Sequence, residues 1–224
     1  MAIYIDAGTT YTKAIVVNES VLDLLPYLHH EQNGRKYYIF PSKLLKNMNF
    51  KITKACGHMG GACENEIVAM SLGAKDIVEA NSTILDLGSR DAKWIRFKDK
   101  KFADMDWNTS CASSTGATVE MLLKFYDISA HELEYNKEKY VVTCGIFGLE
   151  KIMDDIASGT PANIAVSKFV HGIAYNAWSF AKKPKKIYLS GGFCNNKCFV
   201  DCLKNYCEVV ILGQFVLCEG LMNE

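Results

Sequence analysis

Two short glycine-containing segments carry residue types that bind phosphate. Residues 6–10 read Asp-Ala-Gly-Thr-Thr, and residues 86–91 read Asp-Leu-Gly-Ser-Arg-Asp. Glycine lets backbone N–H groups approach a phosphate closely, and nearby hydroxyl and ammonium groups add further donors. An aspartate at the end of a strand can hold Mg²⁺, usually through water. We therefore predict Mg²⁺ ligands at Asp6 and Asp86, and phosphate ligands at Gly8, Thr9, Thr10, Lys13, Gly88 and Ser89.

A single turn of this kind is equally typical of an ordinary hairpin with an Asp or Thr side-chain cap. Two such turns, each after an apolar strand and each opening one half of the chain, indicate a shared nucleotide site more strongly. Gly191–Gly192, between a predicted strand and a predicted helix, would let the base or ribose of a nucleotide approach the backbone, although such a pair alone is more typical of a helix-entry turn. Asp91 and Glu66 are further carboxylates that could act as a catalytic base.

The nine cysteines need a separate explanation, because structural disulfides are not expected in a reducing compartment. Two groups are dense enough to suggest a metal site: Cys194, Cys198, Cys202 and Cys207, and the looser group Cys56, His58 and Cys63. Neither group contains two paired sets of ligands, so we favour a structural role for both and keep metal binding as the alternative.

Charge and hydropathy exclude several classes of partner. The chain has 224 residues, with 25 Lys and Arg against 25 Asp and Glu, so its formal net charge is zero. This balance argues against general electrostatic binding to nucleic acid or to an acidic membrane. No apolar run approaches the roughly 20 residues that span a bilayer. The N-terminal residues lack the basic region of a signal peptide, and we expect a cytoplasmic protein.

The predicted elements repeat. A strand ending in Asp, a turn and a second strand begin near Ile3, and the same order begins again near Ile84. We therefore expect an α/β protein with two lobes, residues 1–81 and residues 82–224, and with the second lobe carrying most of the helices. A long, mostly buried helix is predicted from Pro161 to Lys182, because its apolar residues recur at helical spacing.

Three local predictions concern less regular segments. A helix over residues 62–72 is expected to stop at Gly73, since glycine commonly follows the last helical residue. Tyr140–Thr143 is predicted to be a strand. His29–His30, beside Glu31, is predicted to be a solvated loop.

These residues carry a resemblance to a known family. The order DxGTT, DLGxxD and late SGGF resembles the superfamily of acetate and sugar kinases, heat-shock chaperones and actin. Within it, the chain resembles the ATPase activators of 2-hydroxyacyl-CoA dehydratases and their benzoyl-CoA reductase relatives. The supporting segments are the Glu-containing helix 66–74, Asn108–Gly116 with its Cys111, Cys144–Phe147, and Ser158–Ser167 before the long helix.

The resemblance implies an actin-like ATPase fold with duplicated ribonuclease H-like domains and a nucleotide cleft between the lobes. It implies ATP, Mg²⁺ and a [4Fe-4S] cluster bound by Cys111 and Cys144 from each subunit of a homodimer. The implied function is ATP-driven transfer of an electron to an iron–sulfur dehydratase or reductase, with a ferredoxin or flavodoxin as the electron donor. Two buried core cysteines are the alternative reading of Cys111 and Cys144.

The chain departs from the family pattern at several positions. Arg90 stands where the family has glutamine, and Ser114 stands where it has glycine. The acidic stretch that follows the second family cysteine is Gly148–Lys151 here. Two other functions therefore stay open: a small-molecule kinase that uses Asp91 or Glu66 as its base, and a non-catalytic scaffold gated by ATP.

Overall fold

The computed structural model describes residues 2–17, 27–48, 51–58, 64–108, 115–142 and 145–223. Its contacts divide the chain into two compact units: Met1–Glu79 together with Gln214–Glu224, and Ala80–Gly213. The sequence-based division had placed the C-terminal residues in the second lobe. They group with the first unit because the last helix packs against the first helix and the first sheet.

The described residues form ten strands and six α-helices. The strands are β1 (Ala2–Ala7), β2 (Tyr11–Val17), β3 (Leu28–Gln32), β4 (Arg35–Pro41), β5 (Lys54–Gly57), β6 (Ser82–Leu87), β7 (Ala92–Lys98), β8 (Lys101–Asn108), β9 (Lys186–Ser190) and β10 (Glu208–Gly213). The helices are α1 (Glu66–Ala74), α2 (Gly116–Phe125), α3 (Gly145–Ala157), α4 (Ala162–Phe180), α5 (Lys197–Leu203) and α6 (Val216–Asn223). Short 3-10 turns span Ser42–Asn47, Ala130–Glu132 and Gly192–Asn195.

The first unit is built on a five-stranded sheet in the order β3-β4-β2-β1-β5. Strands β1 and β2 form the predicted antiparallel hairpin, with Ala7 opposite Thr12, and β5 runs parallel to β1. Ile3 and Ile5 point into the core on alternate positions of β1, as expected for a strand rich in β-branched residues.

The second unit repeats this arrangement in the order β10-β9-β6-β7-β8. Strands β6 and β7 form an antiparallel hairpin with Leu87 opposite Ala92, and β9 runs parallel to β6. In both sheets, then, a hairpin carries an antiparallel third strand on one side and a parallel strand on the other. The predicted repeat of strand, turn and strand is confirmed at the level of topology.

Helix α4 is the centre of the larger core. Pro161 precedes its first residue, where a missing N–H costs nothing, and the helix continues for 19 residues to Phe180. Its fully buried residues include Val166, Phe169 and Val170, so it is apolar around most of its circumference. None of the helices in the described ranges is both long and apolar enough to cross a bilayer.

Three local predictions are wrong. Gly73 does not end α1, which continues to Ala74, because this glycine serves the close approach of Val216 in α6. The His29–His30 segment is edge strand β3, whose polar residues fit the exposed edge of a sheet. The described residues Tyr140–Val142 form no strand, and the Tyr140 N–H donates to the Lys168 carbonyl of α4 at 3.2 Å.

Candidate functional site

The first loop, residues 8–10, joins β1 to β2 and lies next to a paired acid and base. Asp6 and Lys13 are opposite each other in the hairpin, and the Lys13 Nζ donates to the Asp6 Oδ2 at 2.9 Å. Both side chains are largely buried, so the pair offsets the cost of removing each charge from water. The hairpin therefore carries, next to its turn, one carboxylate and one ammonium group that fix each other's position.

Ser42 fixes the shape of the first loop. Its N–H donates to the Thr10 carbonyl at 2.9 Å, and its Oγ donates to the Gly8 carbonyl at 2.6 Å. The Thr12 hydroxyl lies 2.9 Å from the same Oγ. The sequence analysis missed Ser42, and only the register of β2 against β4, which places Pro41 opposite Tyr11, brings it to this position.

Close backbone packing explains the glycine of the first loop. A Cβ on Gly8 would lie 2.7 Å from the Tyr11 carbonyl oxygen, which is closer than real Cβ contacts. Thr9 is exposed at the tip, whereas Gly8 and Thr10 are half-buried. The Thr9 hydroxyl is thus the most accessible side-chain donor of the predicted phosphate ligands in this loop.

The second loop, residues 88–91, joins β6 to β7 and holds its acids differently. The Asp86 Oδ2 accepts a hydrogen bond of 2.7 Å from the Ser190 Oγ at the end of β9. The Asp91 Oδ2 accepts one of 2.6 Å from the Trp107 indole N–H and lies 3.7 Å from the buried Lys93 Nζ. Asp86 and Lys93 are opposite each other in the second hairpin, as Asp6 and Lys13 are in the first. Lys93, however, forms an ion pair with Asp91.

The start of α2 fixes the second loop. The Gly116 N–H donates to the Gly88 carbonyl at 3.1 Å, and the Ala117 N–H donates to the Ser89 carbonyl at 2.9 Å. Thr115 is the N-cap residue of α2, and its hydroxyl donates to the Ser89 carbonyl at 2.6 Å instead of accepting from the helix. Ser114 lies outside the described residues.

The third loop, Gly191–Gly192, packs directly on the second hairpin. Gly191 has a φ of +88°, and a Cβ there would lie 2.7 Å from the Leu87 carbonyl oxygen and 3.1 Å from the Asp86 Oδ2. A Cβ on Gly192 would meet nothing within 4 Å. The structure therefore brings Asp86, Ser190 and Gly191 together, and leaves open space beside Gly192.

The predicted site residues divide between the two units. Asp6, Gly8, Thr9, Thr10, Lys13 and Glu66 belong to the first unit, and Asp86, Gly88, Ser89, Asp91, Gly191 and Gly192 belong to the second. Glu66 is buried in the first turn of α1, which begins after Asn65 rather than near residue 62. The Asn65 side chain accepts from the Ile67 and Val68 N–H groups, a capping signal that the sequence analysis overlooked.

Cys111 and Cys144 both lie outside the described residues. Their surroundings in the chain are nevertheless informative, because α3 begins directly after Cys144 and α2 begins five residues after Cys111. A helix N-terminus favours an anionic group nearby, including a thiolate.

Core contacts are made by Cys194, Cys198, Cys202 and Cys207, whereas Cys63 of the looser group lies outside the described residues. Cys194 and Cys198 donate to the carbonyls of Leu189 and Glu134, each at 3.2 Å. Burial raises the pKa of the Cys207 thiol to about 11, and a hydrogen bond with Cys198 raises the pKa of Cys202. Within the described ranges, no three His, Cys, Asp or Glu side chains form a group that could hold a metal ion.

Comparisons with curated proteins identify dehydratase activators as relatives. The (R)-2-hydroxyglutaryl-CoA dehydratase activating ATPase of Acidaminococcus fermentans is 23% identical over 223 residues, which cover 88% of this chain and 85% of the relative. An activator of lactoyl-CoA dehydratase from Anaerotignum propionicum is 25% identical over 142 residues, covering 59% of this chain and 55% of the relative. No protein-family model matches the chain.

A solved structure shares the fold. The activator of the 2-hydroxyisocaproyl-CoA dehydratase from Clostridium difficile with bound ADPNP superposes with a TM-score of 0.76 at 16% identity, covering 99% of this chain and 92% of that one. The resemblance to the dehydratase activators is therefore confirmed, and so is the predicted α/β fold, which the chain shares with the Clostridium activator.

Proposed function

We propose that this chain is an ATP-dependent activator of a partner dehydratase. The observation that carries the proposal is the match to the Acidaminococcus activating ATPase along most of both chains. The two hairpin loops support it, because each places a held aspartate beside a glycine turn. The Clostridium activator with the same fold contains a bound ATP analogue, which supports ATP as the nucleotide.

In this proposal both loops contact one Mg-ATP. The hydrogen bond from Ser190 occupies one oxygen of Asp86 and leaves the Oδ1 for a further ligand. Asp6 and Asp86 would hold Mg²⁺ through water, and hydroxyls such as that of Thr9 would donate to the phosphates. The open space beside Gly192 suits the adenosine, because a flat base can approach backbone that carries no side chain.

We further propose that Cys111 and Cys144 of two copies hold a [4Fe-4S] cluster at the axis of a homodimer. Four thiolates are needed, and each chain supplies two. When bound, the cluster would supply a single electron for an iron–sulfur dehydratase or reductase, and a ferredoxin or flavodoxin would replenish it. Helix α3 begins directly after Cys144 in the chain, and a helix N-terminus there would favour the thiolate form.

ATP can drive such a transfer only by binding two conformations with different affinity. The chain would bind the nucleotide through the two loops. The conformational change would then reach α2, whose Gly116 and Ala117 N–H groups donate hydrogen bonds to the second loop. Hydrolysis would then reset the protein. Arg90 is exposed in the second loop at the position where the family has glutamine, so it is placed near the expected phosphates.

The kinase alternative receives less support. A kinase on this fold needs a carboxylate base that is free to accept a proton from the substrate hydroxyl. The Asp91 Oδ2 instead accepts from Trp107 and faces Lys93. Glu66 is buried at the start of α1. Asp91 and Glu66 therefore both already interact with other groups of the protein.

Anaerobic iron analysis with electron paramagnetic resonance tests the proposal. Protein purified without oxygen should be brown and contain about four irons per dimer, with the signal of a reduced [4Fe-4S] cluster after treatment with dithionite. Cys111→Ser and Cys144→Ser should lose iron and colour, whereas the matched variant Cys198→Ser should keep both. Iron-free wild-type protein with an intact fold, or loss of iron only in Cys198→Ser, would contradict the proposed cluster.

A further inference from the structure

The second unit contains a cavity that the proposed nucleotide site does not use. Its volume is about 440 Å³, and it lies at the starts of β6 and β9 and at the end of β7. The second loop lies at the other end of β6, five residues or roughly 17 Å away at about 3.3 Å per residue. A cavity of this size is within the usual range for small-molecule sites, roughly 300–1,000 Å³.

The cavity is lined by an excess of positive charge. Arg96, Lys98, Lys185 and Lys186 all contribute to its wall. The Lys186 Nζ is paired with the Glu208 carboxylate at 3.1 Å. Lys98 and Lys185 have exposed side chains that form no ion pair within the described part of the chain. The wall therefore favours an anion, although the chain as a whole is neutral.

Arg96 is held in place before any ligand arrives. Its Nε donates to the Thr83 hydroxyl at 3.3 Å, its Nη2 donates to the Ala181 carbonyl at 3.2 Å, and its guanidinium lies 5.0 Å from the centre of the Trp94 ring. These contacts use two of the three nitrogens and leave the Nη1 donors for another acceptor. A guanidinium that is already ordered loses little entropy on binding an oxyanion.

The remaining wall combines hydroxyl groups with apolar surface. Ser82 lines the cavity, and its Oγ is buried without a hydrogen-bond partner among the described residues. Buried hydroxyls without partners are uncommon because they cost free energy. Pro184 and Ala103 supply apolar surface beside the charged groups. The lining thus suits a molecule with an anionic end and an apolar end.

We propose that this cavity binds a small phosphorylated organic molecule. A phosphate with two negative charges suits a wall that carries Arg96, Lys98 and Lys185 better than a single carboxylate does. The organic part would lie against Pro184 and Ala103. The concave shape and the ordered arginine favour a small ligand over an acidic protein surface, which would need only the exposed lysines.

Titration of phenyl phosphate into ¹⁵N-labelled protein tests the proposal. The backbone amide signals of Lys98, Lys185 and Tyr188 should shift and saturate, with inorganic phosphate binding more weakly because it lacks the apolar part. Lys185→Gln should raise the dissociation constant about threefold and Arg96→Gln at least tenfold. The matched variant Lys137→Gln, at an exposed lysine outside the cavity wall, should leave it unchanged.

Arg96 also contacts Trp94 and Thr83. If Arg96→Gln does not fold, Lys185→Gln at the exposed lysine is the decisive variant. Three outcomes would overturn the proposal. The first is the absence of any signal shift when phenyl phosphate is added from a 10-fold excess over protein up to its solubility limit. The second is a set of shifts confined to residues 86–91 and 191–192. The third is tighter binding of a decaglutamate peptide than of phenyl phosphate. The last result would instead identify a docking surface for an acidic protein. The Lys98 and Lys185 signals lie at the opposite ends of β7 and β9 from the nucleotide loops, so their outcome is independent of the proposed function.

Discussion

At the scale of the residue, Gly191 shows why the second hairpin tolerates no side chain beside its aspartate. Its φ of +88° lies in a region that L-residues avoid, and a Cβ would contact the Leu87 carbonyl and the Asp86 carboxylate. The conformation and the space therefore act together at this position. Two other glycines of the same unit separate these effects, since Gly213 has a φ of +92° in open space and Gly192 has neither constraint.

We predict that Gly191→Ala lowers the free energy of unfolding by about 3 kcal/mol, because backbone strain and overpacking add. Gly213→Ala should cost about 1 kcal/mol, since only the strain remains. Gly192→Ala should change stability by less than about 0.5 kcal/mol. Urea denaturation followed by circular dichroism measures all three variants. Equal losses for Gly191→Ala and Gly192→Ala would show that the close packing on Leu87 does not exist.

The sequence predicted which residues stand at the strand ends but not what holds them. Asp6 and Asp86 follow from the pattern of an apolar strand before a glycine turn. Their partners differ, with Lys13 near in sequence and Ser190 at a separation of 104 residues. A partner so distant depends on the pairing of β6 with β9, which a single sequence does not specify.

At the scale of the element, helices α1 and α6 approach each other closely enough for backbone contact. A Cβ on Gly73 would collide with the Val216 carbonyl, and one on Gly220 would collide with the Ala69 carbonyl. The two glycines lie on opposite helices, so each allows the other helix to come near. This contact holds the C-terminal residues in the first unit, an arrangement that the strand pattern of the sequence did not reveal.

We predict that Gly220→Ala destabilises the first unit by about 3 kcal/mol, because backbone atoms have little room to move aside. Proteolysis should then cut near residues 214–224 sooner than in the wild type. Gly34→Ala is the matched control in the same unit, with a positive φ but with nothing within 4 Å of the added carbon. A Gly220→Ala variant that resists protease as well as the wild type would disprove backbone contact between the helices.

Helix α4 carries a buried histidine that ties it to the segment before residue 140. The His171 Nδ1 lies 2.7 Å from the Asn136 carbonyl and 3.2 Å from the Glu138 carbonyl, so it donates, and the Nε2 accepts from the Tyr206 hydroxyl at 2.8 Å. Burial lowers the pKa of His171, and this effect outweighs the hydrogen bonds to the Glu138 and Asn136 carbonyls, which raise it. The imidazole is therefore neutral in the folded protein at neutral pH.

This lowered pKa predicts a loss of stability as the pH falls from 7.5 to 5.5. The unfolded chain takes up a proton near pH 6.5 while folded His171 does not, so the slope is at most about 1.4 kcal/mol per pH unit for this group. His30, whose pKa is also lowered by burial, adds a slope of the same sign. Denaturation at several pH values should show part of the slope removed in His171→Gln and retained in the exposed His131→Gln. An unchanged slope in His171→Gln would contradict a neutral buried imidazole.

At the scale of the whole molecule, the repeated strand order is the feature that the sequence predicted best. The hairpins β1-β2 and β6-β7 each have an aspartate near the end of the first strand, and each of these two turns contains a glycine. Repeated apolar alternation and glycine turns are local signals, so they survive in a single sequence. The edge strand β3 and the position of α6 were missed because polar edge residues and helix docking leave weak local patterns.

The central claim is that both loops hold one ATP, and calorimetric titration of Mg-ATP tests it most directly. The account predicts one site per chain in the wild type, and a dissociation constant at least tenfold higher in both Asp6→Asn and Asp86→Asn, equivalent to about 1.4 kcal/mol. Asp104→Asn, at an exposed acid of β8, should bind as the wild type does. Two sites per chain, or wild-type affinity in either loop variant, would contradict the account.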